Sequence, residues 1–271
     1  MSKPRTLAFC SISALDRPLA AVAAMARRAG CDGLEVTARP PHLDPEAGSV
    51  AAREAGRAVR GEGLAVVAYG SYLGRFGQTS HEIARREVEL AAALEAPLLR
   101  VWAEPLEGPD GGFETVVALM RAVADAAAGE GIGVVIERHV GSHADTPARI
   151  ARLFGAIARP NVALNYQVLD FLPPEEAALQ CADAERLVPL AHYFHLKNYQ
   201  PNPDPGGRLL PGAALGEGVL DYRAILHSAL AAGYAGPFTV EFLAMDPRPV
   251  EEKLAADVSF VRSVLAEAGT A

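Results

Sequence analysis

The sequence predicts an α/β protein in which a single (β/α)8 barrel spans residues 1–271. Short apolar or β-branched runs alternate with longer Ala-, Leu- and Arg-rich runs of helical period, and eight such pairs can be counted. The length of 271 residues, half of them apolar, is typical of this fold. A doubly wound sheet needs similar elements, but LAFCSISALDRP at the first strand lacks a Gly-x-Gly-x-x-Gly run.

Each predicted strand is short and precedes a predicted helix. The strands are predicted at 6–12, 33–37, 64–70, 98–103, 133–138, 162–167, 193–198 and 237–242. The helices are predicted at 18–29, 47–62, 80–95, 113–129, 146–158, 174–189, 221–232 and 249–267. Glycines follow several of these helices, and Thr146-Pro147 has the pattern of a helix start.

One long irregular stretch, residues 199–220, follows the seventh strand and is rich in Pro and Gly. Loops of this length in compact domains are usually functional. Arg208 lies in this stretch and could close on an anionic substrate, although a solvated surface arginine would fit the sequence as well.

The composition excludes several classes of protein. A net charge of -8 argues against a surface that neutralises nucleic-acid phosphates. No run is long and apolar enough for a membrane span, so we expect a cytoplasmic protein. Cys10, Cys31 and Cys181 are few and odd in number, which predicts buried thiols without disulfides. The oligomeric state is open, since barrels often pair through their outer surfaces.

Polar residues at the ends of the later strands are the first candidates for a site. Residues two apart on a strand point the same way, and in such barrels those near the C-terminal strand ends face the mouth. This parity pairs Glu137 with His139 and His195 with Lys197, and it places Glu241 at the end of the eighth strand. The sixth strand carries Asn165 and Gln167 with the same parity.

Two glutamates, one histidine and one amide oxygen on neighbouring strands predict a site for a hard divalent cation, Mn²⁺ or Mg²⁺ before Zn²⁺. Such an ion can hold neighbouring oxygens of a sugar and stabilise an enediolate. Two carboxylates could then exchange the proton of the carbon between them. A charged residue at a strand end can also be merely solvated or salt-bridged, so the prediction depends on the set as a whole.

Two further residues are candidates for substrate contact. Glu35 ends the second strand, where a buried pair with an arginine is an equal alternative. Trp102 follows the fourth strand and could stack on a sugar or pack between barrel and helix.

The stretch ALGEGVLDYRAILHSALAAGYAGPFTVEF at 214–242 is similar to the Gly-x-Gly-x-x-Asp-Tyr, Gly-Tyr and terminal Glu pattern of the xylose-isomerase-like sugar isomerases and epimerases. VELAAALEAPLLRVW at 88–102, VVIERHVG at 134–141 and YFHLKN at 193–198 extend the resemblance over most of the chain. It implies a TIM barrel and an isomerase or epimerase of sugars or sugar phosphates, acting with a divalent metal.

The resemblance also implies which side chains hold the metal. Glu137, His195 and Glu241 match the family's ligands on the fifth, seventh and eighth strands. The sixth strand departs from the pattern, because Gln167 with Asp170 three residues later replaces Asp-x-x-His. The neutral Gln167 removes one negative charge and weakens the expected metal site. In addition, Lys197-Asn198 stands where the family has Lys-Asp.

Several functions therefore compete. The leading prediction is an isomerase or epimerase in which Glu137 and Glu241 bind metal and move the proton, while His139 and Lys197 orient the substrate. A dehydratase of inositol- or shikimate-type substrates begins with the same proton removal. A sugar-binding barrel without metal or catalysis is a third prediction. A DNA-repair endonuclease is disfavoured by the acidic charge and the few basic residues in the mouth loops.

Overall fold

The computed structural model describes residues 5–241 and 247–269 and contains a closed barrel of eight parallel strands surrounded by helices. The barrel strands are β1 (Leu7–Cys10), β2 (Gly33–Thr37), β3 (Ala65–Gly70), β4 (Leu98–Val101), β5 (Gly133–Glu137), β6 (Val162–Tyr166), β7 (Ala191–Leu196) and β10 (Phe238–Val240). Their order around the barrel is β1, β10, β7, β6, β5, β4, β3 and β2. The predicted (β/α)8 fold and the position of each strand are confirmed.

The helices also lie where the sequence predicts them. They are α1 (Leu19–Ala29), α2 (Gly48–Gly61), α3 (His81–Leu94), α4 (Phe113–Gly129), α5 (Pro147–Ile157), α6 (Ala177–Leu187), α7 (Tyr222–Ala231) and α8 (Val250–Gly269). The sixth is shorter than predicted because 3-10 turns replace both of its ends, at Pro174–Glu176 and Val188–Leu190. Pro174 and Pro189 lie in these turns, where a proline lacks the N–H that a longer α-helix would use.

Strand alternation divides the apolar residues into two cores. Outward-facing residues of the strands pack against the helices in one large cluster. The barrel interior holds a second cluster of mostly small residues, formed by Ala8, Val67, Ala68, Val135, Ala163 and Tyr193. Because this inner cluster is small, the interior towards the C-terminal strand ends is left to polar side chains.

The long segment after β7 is more regular than the sequence predicts. It contains an antiparallel pair, β8 (Asn198–Gln200) and β9 (Leu210–Ala213). The Asn198 side chain donates to the carbonyl groups of Leu215 (2.9 Å) and Leu220 (3.0 Å) and accepts from the N–H groups of Tyr199 (2.8 Å) and Leu220 (3.1 Å). An aspartate could not donate, so this double role explains the asparagine after Lys197.

The Gly-x-Gly-x-x-Asp-Tyr motif has a structural role in the same segment. A Cβ at Gly218 would overlap the side chain of Asn198, so only glycine fits. Asp221 caps α7 by accepting from the N–H of Ala224, and the hydroxyl of Tyr222 accepts from the backbone N–H of Lys197 (3.1 Å). The motif therefore holds the end of β7 in place.

Two other sequence predictions concern the whole chain. In the part that the structure describes, no helix is long and apolar enough to cross a membrane. Cys10 and Cys31 are buried free thiols, as predicted.

Candidate active site at the barrel mouth

A buried arginine connects two of the predicted site residues. Arg100 on β4 donates from Nε to Oε1 of Glu35 (2.9 Å) and from a terminal nitrogen to Oε2 of Glu137 (2.5 Å). Its side chain is 3% exposed, so these ion pairs lie in a region of low dielectric constant. Arg100 thus fixes the carboxylate of Glu137 from one side.

Glu35 is fully enclosed by this network. Its second oxygen lies 2.8 Å from the hydroxyl of Tyr193 and 2.6 Å from Nε2 of His195. Burial alone would raise the pKa of Glu35, but His195 and Arg100 outweigh it and hold the pKa well below its usual range. Of the two interpretations of Glu35, the structure supports the buried pair with an arginine.

His195 uses both ring nitrogens. Nε2 faces Glu35, whereas Nδ1 lies 3.2 Å from Nδ2 of Asn165 and 3.5 Å from Oε2 of Glu241. A carboxylate behind one nitrogen orients a histidine whose other nitrogen faces a ligand or a metal. Burial lowers the pKa of His195, but Glu241 and Glu35 outweigh it, so the pKa is raised.

Lys197 forms the second ionic centre of the mouth. Its Nζ lies 3.0 Å from Oδ2 of Asp170 and 3.3 Å from Oε2 of Glu241, and the hydroxyl of Tyr199 donates to Oδ1 of Asp170 (2.6 Å). Burial opposes the ammonium charge, but Asp170 and Glu241 raise the pKa of Lys197 above its usual value. Lys197 is therefore a fixed cation and a poor nucleophile.

Glu241 is held in its ionised form by its neighbours. Burial would raise the pKa of its carboxyl group, but Lys197 and then His195 outweigh burial, so the pKa is lowered. A carboxylate that is ionised near neutral pH and open to a substrate can accept a proton.

Gln167 lies beside Glu137, as its parity predicts. Its Nε2 donates to Oε1 of Glu137 (2.9 Å) and to the carbonyl oxygen of Arg138 (2.6 Å). Its Oε1 is buried and has no hydrogen-bond partner within residues 5–241 and 247–269. Because buried polar atoms are nearly always satisfied, this oxygen is available to a cation or a substrate. By their chemistry the donors of Glu137, Gln167, His195 and Glu241 suit a divalent ion such as Mn²⁺ or Mg²⁺, but the ligand atoms of Glu137, His195 and Glu241 do not all lie within 4.8 Å of one another.

Among the described residues, the one close grouping of three or more Cys, His, Asp or Glu ligand atoms is a different set, which shares only His195 with the predicted ligands. Ligand atoms of Cys10, Glu35 and His195 lie within 4.8 Å of one another, and all three residues are buried. The contacts of Glu35 with Arg100 and His195 account for this grouping without an ion. Burial also raises the pKa of the Cys10 thiol, which disfavours the thiolate that binds metals.

The remaining predicted substrate contacts lie around the network. Trp102 is 6% exposed and donates from its indole N–H to the carbonyl oxygen of Ser71, so packing is its main role. His139 is half-buried and meets the Trp102 ring edge-on at 5.1 Å. Arg208 is exposed and donates to the carbonyl oxygen of Phe171 (3.0 Å), which joins the long segment to the loop after β6.

Sequence reasoning missed several members of the site. Arg100 was not a candidate, although an arginine inside the apolar run LLRVW is the signal that indicates it. Tyr193 has the same parity as His195 and could have been found in that way. The pairing of Asp170 with Lys197 and Tyr199 depends on the folding of the long segment, which no local pattern indicates.

Comparisons with known proteins agree with this architecture. A family model described as xylose isomerase-like TIM barrel matches residues 23–264. No curated protein matches the chain significantly by sequence.

Solved structures resemble the chain over nearly its whole length. One is a xylose isomerase-like TIM barrel protein from Mycobacterium smegmatis in complex with magnesium, at 20% identity, a TM-score of 0.75 and 99% coverage of both chains. The probable 3-DHS dehydratase AsbF from Bacillus anthracis is 18% identical, with a TM-score of 0.72 and coverage of 95% of this chain and 98% of that one. A D-allulose 3-epimerase from Methylomonas sp. is 18% identical, with a TM-score of 0.68 and coverage of 97% and 100%. At these identities the likeness shows the fold alone.

Proposed function

The chain belongs to the xylose isomerase-like TIM barrel family, and on that basis we propose that it is an isomerase or epimerase of a sugar or related hydroxy-carbonyl compound. The similar structures include a D-allulose 3-epimerase and a probable 3-DHS dehydratase. The observation that supports the proposal most is the continuous network of hydrogen bonds and ion pairs that joins Glu137, His195 and Glu241 at the mouth.

The two glutamates have the proton-transfer role in this proposal. Glu241, ionised beside Lys197, accepts the proton from the carbon next to the substrate carbonyl. The electron pair of the broken C–H bond moves to the carbonyl oxygen and forms an enediolate. Glu137, fixed by Arg100 and Gln167, takes up a proton from solvent and delivers it to the carbon from the other side, and Glu241 then releases its proton to solvent, which restores both carboxylates.

Other residues hold the substrate and its charge. Glu137, Gln167, His195 and Glu241 would hold a divalent ion, Mn²⁺ or Mg²⁺, which supplies Lewis-acid stabilisation of negative charge on the substrate oxygens. The ammonium of Lys197 and the ring of His139 orient those oxygens by hydrogen bonds. Glu35 orients the ring of His195 through its contact with Nε2.

A dehydratase is the second candidate, and the likeness to the probable dehydratase AsbF favours it. Dehydration begins with the same proton removal next to a carbonyl, and the two reactions differ in whether a hydroxyl group then leaves. The residues named above would serve either reaction.

The test follows deuterium exchange. Chelator-treated protein reloaded with Mn²⁺ is incubated in D₂O with free and phosphorylated ketoses and with inositol- and shikimate-type carbonyl compounds, and products are identified by NMR. We expect deuterium next to the carbonyl, and a loss of about 10²-fold or more in Glu241→Gln and in Glu137→Gln. Glu62→Gln, at an exposed position, is the matched control.

The outcomes separate the candidates. Retained hydroxyl groups indicate an isomerase or epimerase, and a product that has lost water indicates a dehydratase. Sugar binding without exchange for any compound would instead indicate a non-catalytic binding barrel and contradict the proposal.

A further inference from the structure

An aromatic ledge, formed by Tyr72, Phe76 and Trp102, lies on the loops that follow β3 and β4 at the mouth. The Tyr72 ring stacks on Phe76 at 5.7 Å between centroids and lies nearly parallel to Trp102 at 6.3 Å. The guanidinium of Arg75 lies 4.6 Å from the Phe76 centroid and 4.0 Å from that of Trp102. The ledge is therefore a layered set of rings with a cation between two of them.

The backbone holds the ledge in a fixed position. The N–H of Trp102 donates to the carbonyl oxygen of Leu73 (2.8 Å), that of Glu104 to Gly74 (3.2 Å), and that of Gly74 to Gln78 (2.8 Å). Gly74 has φ 82°, and a Cβ there would overlap the carbonyl oxygen of Trp102. The loop after β3 is thus joined closely to the segment after β4.

Phe76 is unusual within this fixed loop. Its side chain is 70% exposed, and its φ of 51° lies in the left-handed region that bulky residues rarely adopt. Folding gains little from a ring that stays in water, and the backbone conformation is strained. Backbone strain in a segment that its surroundings hold in place is typical of functional sites.

Charged side chains lie beside the ledge. Arg75 bridges to Glu104 (2.9 Å from Nε to Oε1), and Arg39 lies over Tyr72 at 5.8 Å. Ligand sites for small molecules combine aromatic surfaces with a few polar groups that fix orientation. A sugar ring has that chemistry, because its C–H face stacks on an aromatic ring while its hydroxyls bond to planar charged groups.

The ledge also continues into the catalytic network. Trp102 lies 5.2 Å from the guanidinium of Arg100, which binds Glu137, and the same tryptophan contacts His139. A ligand on Phe76 is therefore separated from Glu137 by Arg75, Trp102 and Arg100. The ledge and Glu137 lie at the same end of the barrel, so a ligand that touches both must be larger than one sugar ring.

We propose that Phe76, backed by Arg75 and Tyr72, binds the second sugar ring of a glycoside or disaccharide whose first ring reacts at Glu137 and Glu241. The reaction of the first ring rests on the proposed function, whereas the binding of the second ring at Phe76 does not depend on it. A second copy of the chain is a poorer occupant, since stable interfaces have a large apolar core and the exposed apolar surface here is mainly one ring flanked by charges.

The test uses Trp102 fluorescence, because Trp102 is the only tryptophan in the chain. Metal-free protein is titrated with cellobiose and maltose, each compared with glucose. We expect at least one disaccharide to bind about tenfold tighter than glucose. Phe76→Ala should lose about that factor for the disaccharide and leave glucose binding unchanged. Leu179→Ala, which shortens an exposed leucine on α6, is the control and should bind like the wild type.

Three results would overturn the proposal: no saturable signal with either disaccharide, equal affinity for disaccharide and glucose, or unchanged affinity in Phe76→Ala. A lower molar mass of Phe76→Ala than of the wild type in light scattering would instead assign the ledge to a contact between copies. Because the titration needs no turnover, its failure is distinguishable from a failure of the deuterium-exchange experiment.

Discussion

Replacing Arg100 by methionine keeps much of the side-chain volume and removes the charge between Glu35 and Glu137. Glu35 retains Tyr193 and His195 as partners. Within the described residues, the Glu137 side chain is left with one hydrogen bond, which the amide of Gln167 donates. Removal of one partner from a buried ion pair costs about 3–5 kcal/mol, and we expect a loss of this size in the free energy of unfolding.

The assay is urea unfolding followed by far-UV circular dichroism. The double variant Arg100→Met with Glu137→Gln removes the uncompensated charge and should recover about half of the loss or more. The matched control is Arg159→Met, which breaks the exposed pair with Asp125 and should leave the urea midpoint nearly unchanged. A loss below about 1 kcal/mol in Arg100→Met, or no recovery in the double variant, would refute the electrostatic reasoning.

Three further predictions concern other parts of the molecule. Gln167→Glu places a carboxylate at the unpartnered amide oxygen and should tighten Mn²⁺ binding about tenfold in calorimetric titrations of chelator-treated protein; equal or weaker binding would remove Gln167 from the metal site. Asp257 is buried, and burial raises its pKa to about 6, above the value in the unfolded chain. Folding stability is therefore lost as the pH rises from about 4 through about 6. Asp257→Asn should therefore gain up to about 3 kcal/mol relative to the wild type between those pH values, and parallel urea-midpoint curves would contradict this. Gly74→Ala should lower the melting temperature and change Trp102 fluorescence, because the added Cβ would overlap the backbone of Trp102. Gly77→Ala is the control, since Gly77 has φ 77° but open space around it. It should lower the free energy of unfolding by about 1 kcal/mol and leave the fluorescence unchanged.

The sequence predicts the barrel well because each strand has a local signal. The runs that end in Glu137 and Tyr166, for example, are apolar, short and followed by a helical period, so their positions in the structure differ from the prediction by a residue or two. The ends of a helix are harder to predict where prolines interrupt the helical pattern. For this reason the predicted sixth helix is longer than the observed one.

The candidate site could be predicted only in part. Strand parity brings His195 and Lys197 to the mouth, as observed, but parity does not show which groups pair across the barrel. Glu35 and Arg100 form an ion pair although they are 65 positions apart in the sequence. Whether Glu35 pairs with an arginine or contacts substrate depends on its burial, which a sequence pattern does not reveal. The left-handed backbone of Phe76 has no sequence signal, because bulky residues rarely adopt it.

The division of the apolar residues into an outer and an inner cluster bears on how such proteins diverge. The outer cluster joins strands to helices and carries most of the cohesion, while the inward residues near the strand ends contribute little to it. Exchange of inward residues as matched sets can therefore alter the chemistry of the mouth with a small penalty to folding, whereas loss of one member of a buried ion pair, as in Arg100→Met, is costly. The barrel shared with a structure of only 20% identity, at a TM-score of 0.75, shows that this outer shell tolerates extensive change of sequence.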